Sequence, residues 1–251
     1  MRTSNLTLII LSVALAIAAS SCGGKSIRKQ VKAEMSKSSD IEVVAPDRAK
    51  LVFENEFIKT VVIELKPGVN LPGHPGPDRL VYALTDCNLE FTDESGEKQT
   101  YNWRKGQAAW LAAGEHSAVN TSERTARFLV VNRITSGLPG LKEADSGMSL
   151  PEVAPNIAAR VFDNHAMQIA EVKLPPKTAS PVFEGVNSLL YSLNLSTLKQ
   201  GQVTGPDSTA KVLYEQATIQ PGTAKWRERG RQIVENPGDV EANFLVFSFK
   251  E

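Results

Sequence analysis

The chain has few of the residues on which several common functions depend. Its 251 residues include only two cysteines and three histidines, and aromatic residues make up 6% of the sequence. A disulfide framework needs several cysteines, so none is predicted. The 28 basic residues balance the 28 acidic ones, giving a formal net charge of +0. The concentrated positive charge of a dedicated nucleic-acid binder is therefore absent, and no nucleic-acid partner is expected. The sequence also lacks P-loop, GxSxG and HExxH motifs and cysteine pairs with zinc-site spacing.

An apolar segment begins the chain. Arg2 precedes a nearly uninterrupted apolar run at residues 6–19, which is too short to cross a bilayer because a spanning helix takes about 20 apolar residues. Small residues and a cysteine follow, in the order Ala19, Ser20, Ser21 and Cys22. This segment resembles a bacterial lipoprotein signal. The resemblance implies that residues 1–21 are removed and that Cys22 carries a thioether-linked lipid.

The lipid would make the membrane a partner of this protein. Residues 22–40 are rich in Lys, Arg and Ser, and we interpret them as a tether. Because Gly23 rather than aspartate follows Cys22, the resemblance implies export to the outer membrane, facing the periplasm, with the cell surface as an alternative. An ordinary cleaved signal, or an uncleaved anchor with an incidental cysteine, is the competing interpretation.

The rest of the chain contains one sequence pattern twice. Two segments, beginning at Trp110 and Trp226, align without a gap. The other matched pairs are Gly114 and Gly230, Asn120 and Asn236, Phe128 and Phe244, Leu129 and Leu245, and Val130 and Val246. A repeat of more than 100 residues has the size of a small domain. We therefore predict two domains, at residues 41–145 and 146–251, joined through the Gly- and Pro-rich residues 136–155. An insertion around residues 199–208 distinguishes the copies.

Both copies have the pattern of β-strands. Val61, Ile63 and Leu65 alternate with the neighbouring residues, and turns rich in Gly, Pro, Asn and Asp separate short apolar runs. Long helical periodicity is absent. The sequence thus predicts an all-β protein of sandwiches or barrels.

The first copy contains two spaced motifs. Gly68 is followed after five residues by His74, and Gly106 is followed by Gly114, His116 and Asn120. This pattern resembles the two motifs of the cupin superfamily. The resemblance implies two tandem cupin-type barrels, that is, double-stranded β-helices or jelly rolls. Gly76 replaces the second histidine of the first motif, and Leu80 or Val81 stands where a glutamate is expected.

In cupins, three histidines and a carboxylate form an open site for Fe, Mn or Zn. This chain keeps His74 and His116, and Asp78 is the best candidate for a third ligand. Two interpretations remain open: a metal site, or a ligand pocket without metal. The predicted pocket residues are His74, His116, Asp78, Tyr82 and Asn120.

The second copy has lost both histidines. Gln232 stands at the position of His116, and Phe183 or Val182 at that of His74, so we expect a filled structural barrel without metal. The basic residues Lys225, Arg227, Arg229 and Arg231 could bind a carboxylate or phosphate, but the sequence favours a solvated hairpin. We expect Cys87 to be packed and His165 to lie at a turn or on the surface.

These patterns favour a membrane-anchored bicupin lipoprotein that binds a small molecule in its first barrel. One alternative is a metal-dependent enzyme of the dioxygenase, isomerase or lyase type that acts on a small polar metabolite. Another is a structural or interaction module. With any of these functions the protein could form a homodimer. The sequence does not decide whether the protein is an enzyme, but it favours binding over catalysis.

Overall fold

Strands make up most of the described residues, which are 40–134 and 148–250 of the computed structural model. The elements of the first copy are α1 (Ile41–Val44), β1 (Ala49–Glu54), β2 (Ile58–Leu65), β3 (Asn70–Gly76), β4 (Arg79–Ala83), β5 (Cys87–Asp93), β6 (Lys98–Trp103), β7 (Ala108–Leu111), β8 (Gly114–Asn120) and β9 (Ala126–Arg133). Those of the second copy are α2 (Leu150–Val153), β10 (Ala158–Asp163), β11 (Met167–Leu174), β12 (Thr178–Ala179), β13 (Phe183–Gly185), β14 (Ser188–Ser192), β15 (Ser196–Thr204), β16 (Lys211–Ile219), β17 (Ala224–Arg227), β18 (Gly230–Asn236) and β19 (Ala242–Phe249). A 3-10 turn at Asp207–Thr209 lies between β15 and β16.

Each copy folds into two antiparallel sheets. In the first copy the strand orders are β1-β2-β9-β4-β7 and β3-β8-β5-β6. In the second they are β10-β11-β19-β14-β17 and β12-β18-β15-β16, with β13 also paired to β18. The two orders are equivalent, so the sequence repeat is also a structural repeat. The predicted all-β fold of two tandem jelly-roll barrels is confirmed, and we call the copies barrel 1 and barrel 2.

The barrels differ most in one hairpin. Strands β5 and β6 have seven and six residues, whereas β15 and β16 have nine each. The insertion predicted around residues 199–208 extends this second hairpin.

Three apolar clusters form the core of the part of the chain that the structure describes. One fills barrel 1, one fills part of barrel 2, and the third lies between the barrels. The alternation in β2 explains how one strand serves two clusters: Val61 and Ile63 point into barrel 1, whereas Ile58 joins the cluster between the barrels. The cluster between the barrels contains residues of both, so the barrels share an apolar interface. Complete burial of each large apolar side chain in it contributes roughly 1.5–3 kcal/mol to stability.

The repeated tryptophans belong to this interface. Trp226 stacks on Phe53 of β1, with ring centroids 6.2 Å apart, and on Phe249 of β19, at 5.5 Å. Trp110 makes an edge-to-face contact with His165, which lies in the turn between β10 and β11, and their ring centroids are 6.0 Å apart. Each tryptophan thus contacts the first hairpin of the other barrel, and packing explains why both copies keep it.

The region before barrel 2 contains a short helix. Residues 136–155 are predicted to join the two domains, and α2 forms within them. The Glu152 carboxylate accepts a hydrogen bond from the Ser149 backbone N–H at 2.7 Å, and Pro151 fits the first turn, where a backbone N–H is not needed. The predicted boundary near residue 145, Cys22 and the signal segment lie outside the described residues. Within those described, we find no helix whose length and hydropathy suit a membrane span.

Candidate functional site

The two motif histidines of barrel 1 lie side by side. His74 on β3 pairs directly with His116 on β8, and their ring centroids are 4.3 Å apart. His74 is only 7% exposed, and its Nδ1 is 2.9 Å from the carbonyl oxygen of Pro72. The structure thus brings together the two imidazoles on which the sequence interpretation depended.

Arg79 occupies the space beside these histidines. This arginine, at the start of β4, is 5% exposed, and its Nη2 donates to Nδ1 of His116 at 2.8 Å while Nη1 donates to the Pro77 carbonyl at 2.9 Å. Gly76 makes room for it, since a β-carbon at that position would lie 2.5 Å from Nη1 of Arg79. The guanidinium therefore fills the place left by the missing second histidine.

Burial and the cation together lower the pKa of both imidazoles. Burial, the charge of Arg79 and the neighbouring His74 lower the pKa of His116 to about 3. Burial also lowers the pKa of His74, although the hydrogen bond to Pro72 opposes this. Burial lowers the pKa of Arg79 to about 10, so the guanidinium is still charged at neutral pH. Because a guanidinium can only donate, Nδ1 of His116 accepts and its proton resides on Nε2.

This arrangement does not fit a metal ion. A fixed positive charge lies against the two imidazoles, and Nδ1 of each ring is already engaged. Asp78, the predicted third ligand, is exposed, and its Oδ1 accepts from the Ala113 backbone N–H at 2.8 Å. Across residues 40–134 and 148–250, no three side chains of His, Cys, Asp or Glu are grouped to hold a metal. The donor set that Fe, Mn or Zn would need is incomplete.

Two other predicted pocket residues have packing roles. Tyr82 lies in the cluster between the barrels, edge-on to Phe247 with centroids 6.5 Å apart. Asn120 is fully buried, and its Nδ2 donates to the carbonyls of Leu65 and Arg124, both at 2.8 Å. Asn236 makes the same bonds in barrel 2. The structure therefore places Tyr82 and Asn120 away from the histidines, where they stabilise the fold.

A charged cluster closes barrel 1 above the histidines. Lys59 of β2 forms ion pairs with Asp40, with Glu42 at 2.8 Å and with Glu54 at 3.5 Å. Asp40 and Glu42, on either side of buried Ile41, line the same small cavity as His74. Its volume is about 40 Å³, close to the volume of one water molecule, and too small for the ligands that occupy ordinary binding pockets.

Barrel 2 contains a much larger cavity, of about 650 Å³. The register shows why the barrels differ. Ser188 faces β17 at the position where Arg79 faces β7 in barrel 1. Gln168 likewise replaces Lys59, and the charged residues Arg160, Asp163 and Lys250 in the wall of this cavity pair with one another. The expectation of a filled second barrel is wrong, because Ser188 and Gln168 leave open the space that two long cationic side chains fill in barrel 1.

The histidine positions of barrel 2 carry other side chains. Phe183 pairs with Gln232 as His74 pairs with His116, and a β-carbon at Gly185 would lie 2.6 Å from Cδ of Gln232. Both Phe183 and Gln232 line the cavity. Its remaining wall includes the residues Ala170, Ser188, Arg227, Val246 and Ser248.

Arg227 is the candidate binding residue whose burial the sequence did not predict. The solvated hairpin predicted for Lys225–Arg231 is wrong at this residue, which is only 7% exposed and lines the cavity. One signal was available: Trp226 aligns with Trp110 in the shared interface, so strand alternation turns Arg227 toward the barrel interior.

Cys87 is packed, as expected. The thiol is 2% exposed, and burial together with the charge of Asp86 raises its pKa to about 11. A thiolate is the reactive form of cysteine, so this side chain is chemically inert at neutral pH. His165 is exposed at the turn before β11, also as expected.

The protein thus has the fold of a bicupin, with a packed first barrel and a hollow second one. Three solved structures of oxalate decarboxylase from Bacillus subtilis are similar to it. A mutant form is 14% identical with a TM-score of 0.55, over 81% of this chain and 72% of that one. The enzyme at pH 4.6 is 16% identical with a TM-score of 0.56, over 78% and 68%. A form studied for its Mn(II) centres is 14% identical with a TM-score of 0.53, over 80% and 75%.

These likenesses concern the fold, since the identities are low. No protein-family model matches the chain, and no curated protein matches its sequence. The same fold carries many functions, so the function of this protein depends on its site.

Proposed function

We propose that this protein binds a small molecule in the cavity of barrel 2. The observation that carries the proposal is the volume of about 650 Å³, which lies within the range of roughly 300–1,000 Å³ typical of ligand pockets. Apolar Phe183 and Val246 and polar Ser188 and Gln232 share the wall, as expected of a site that buries a ligand and orients it. The sequence placed the pocket in barrel 1, and the proposal moves it to barrel 2.

A cavity-filling substitution tests this proposal. Ala170 is 5% exposed and lines the cavity, so Ala170→Phe should occupy the ligand volume without displacing packed side chains. Ala159→Phe adds the same ring on the exposed face of β10 and serves as the control. Thermal-shift assays with a panel of sugars, amino acids, organic acids and phosphate esters should find compounds that raise the Tm of the wild type and the control but not of Ala170→Phe. If none does, the structural or interaction alternative is preferred.

The proposed anchoring rests on the amino-terminal sequence. The segment ending at Cys22 supports an exported protein that is lipid-anchored to the outer membrane and faces the periplasm. Metabolic labelling with a radioactive fatty acid should label the wild type and not Cys22→Ala. Protease treatment of intact cells separates a periplasmic location from one on the cell surface, and absence of label in the wild type would remove the anchor.

A metal-dependent cupin enzyme is the second candidate function. The fold likeness to oxalate decarboxylase favours it, and one of the similar forms of that enzyme was studied for its Mn(II) centres. Elemental analysis of the wild type, His74→Ala and His116→Ala, combined with an oxalate-consumption assay in added Mn(II), tests it. Stoichiometric metal that both substitutions remove would support this enzyme, whereas Arg79 beside the histidines predicts no such metal.

A further inference from the structure

The cavity of barrel 2 contains a buried cation. Arg227 lies at the end of β17, opposite Ser188 of β14. Its neighbour Trp226 packs in the interface between the barrels, so the two side chains point to opposite faces of the sheet. Arg227 therefore reaches the cavity while more than nine-tenths of its surface is buried.

Arg227 has no anionic partner within the part of the chain that the structure describes. The guanidinium of Arg227 lies over the ring of Phe183, and its carbon is 5.7 Å from the ring centroid. Arg79 in barrel 1 differs, because it donates to both a carbonyl and an imidazole. An arginine has five N–H donors to satisfy, so this arginine has donors available for a ligand.

The carboxylates around the cavity are engaged elsewhere. Asp163 forms ion pairs with Lys250 and with Arg160 at 3.4 Å. Glu152 accepts from the Ser149 backbone N–H, and Glu184 lies 3.9 Å from Arg231. Burial lowers the pKa of Arg227 to about 10, and no carboxylate of residues 40–134 or 148–250 offsets this effect. The side chain is nevertheless protonated at neutral pH, which leaves a positive charge facing the cavity.

We propose that the ligand of barrel 2 is a small molecule with a carboxylate or phosphate group, which pairs with the guanidinium of Arg227. The planar fork of an arginine matches either group through two parallel hydrogen bonds. Ser188, Gln232 and Ser248 offer further polar contacts, and Phe183 offers an apolar surface for the rest of the molecule. This inference rests on the proposed function, because it names the ligand class for the same cavity.

Barrel 1 supplies a substitution compatible with the fold. Leu111 of β7 is the barrel 1 equivalent of Arg227, because both pair with the first residue of the neighbouring strand. Arg227→Leu therefore places in β17 a residue that β7 already contains. Arg227→Lys keeps the charge and removes the fork. Arg231→Gln is the control, since Arg231 donates to the Gly205 carbonyl at 2.9 Å and lies outside the cavity wall.

Titration calorimetry on the full chain, refolded from urea to release any bound molecule, tests the inference. The anionic probes are acetate, benzoate, inorganic phosphate and phenyl phosphate, and the neutral probes are acetamide and benzamide. At least one anion should bind the wild type and Arg231→Gln equally and bind Arg227→Leu about 10- to 100-fold more weakly. The affinity of Arg227→Lys for the anion should lie between those of the wild type and Arg227→Leu. Circular dichroism should show that all variants are folded.

Three outcomes would overturn the inference. One is that benzamide binds as well as benzoate, and another is that Arg227→Leu keeps wild-type affinity for the anion. In both cases the pocket itself would stand if Ala170→Phe abolished binding. The third outcome is that no anion binds at millimolar concentrations while a neutral compound of the larger panel does. Comparison of benzoate with phenyl phosphate shows which oxyanion the site prefers.

Discussion

Replacement of Arg227 by leucine should stabilise the ligand-free protein. A pKa lowered to about 10 by burial corresponds to roughly 3 kcal/mol against the charged form. Leucine removes this penalty and buries apolar surface, but it forfeits the contact with Phe183, for which about 0.5–2 kcal/mol is typical. The net gain should be about 1–2 kcal/mol. For a chain of this size, that gain corresponds to a Tm increase of about 2–8 °C.

Differential scanning calorimetry of the refolded, ligand-free protein measures this change. Arg231→Leu removes a partly exposed arginine from the same hairpin and should alter stability by no more than about 0.5 kcal/mol. A clear fall in Tm for Arg227→Leu would refute the reasoning, because it would mean that the guanidinium stabilises the empty protein.

Further predictions concern barrel 1 and its repeat. As the pH falls from 6.5 to 4, the unfolded chain protonates His116 while the folded protein, with a pKa of about 3, does not. The free energy of unfolding should therefore fall by up to roughly 3 kcal/mol, and His116→Gln should remove this part of the slope in urea titrations. Asn120→Ala leaves two backbone carbonyls without a hydrogen-bond donor, so it should lower the free energy of unfolding by about 2–3 kcal/mol in thermal unfolding. Asn236→Ala should have the same effect. Cys87 should react with iodoacetamide only in urea, because it is buried.

Each of these predictions has its own contradictory result. An unchanged pH slope in His116→Gln would show that the imidazole is not buried beside a cation, and His165→Gln, which alters an exposed histidine, is the matched control. A neutral Asn120→Ala would mean that the loop carbonyls find other donors. Rapid alkylation of Cys87 in the folded protein would show that the thiol is accessible.

The sequence predicted the fold well because its apolar pattern is periodic and occurs twice. Alternating residues such as Val61 and Ile63 fixed the faces of β2, and the gap-free match of Trp110 with Trp226 fixed the register of the second copy. Asn120 illustrates the limit of the motif: its position was recognised, but the bonds to Leu65 and Arg124 give it a structural role.

The site depended on side-chain volumes that a motif does not encode. The first motif predicted the position of His74, but it did not predict that the side chain of Arg79 packs against Gly76. The cavity of barrel 2 results from several small differences, including Ser188 for Arg79 and Gln168 for Lys59, whose combined effect appears only in three dimensions. Arg227 was seen within a basic cluster, and composition alone suggested a solvated surface.

A crystal structure of the protein soaked with 4-bromobenzoate would test the central claim most directly, since the anomalous signal of bromine locates the probe without assumptions. We predict that the bromine lies inside barrel 2 and that the carboxylate contacts the guanidinium of Arg227. Bromine between His74 and His116 in barrel 1, with the cavity of barrel 2 empty, would contradict the account.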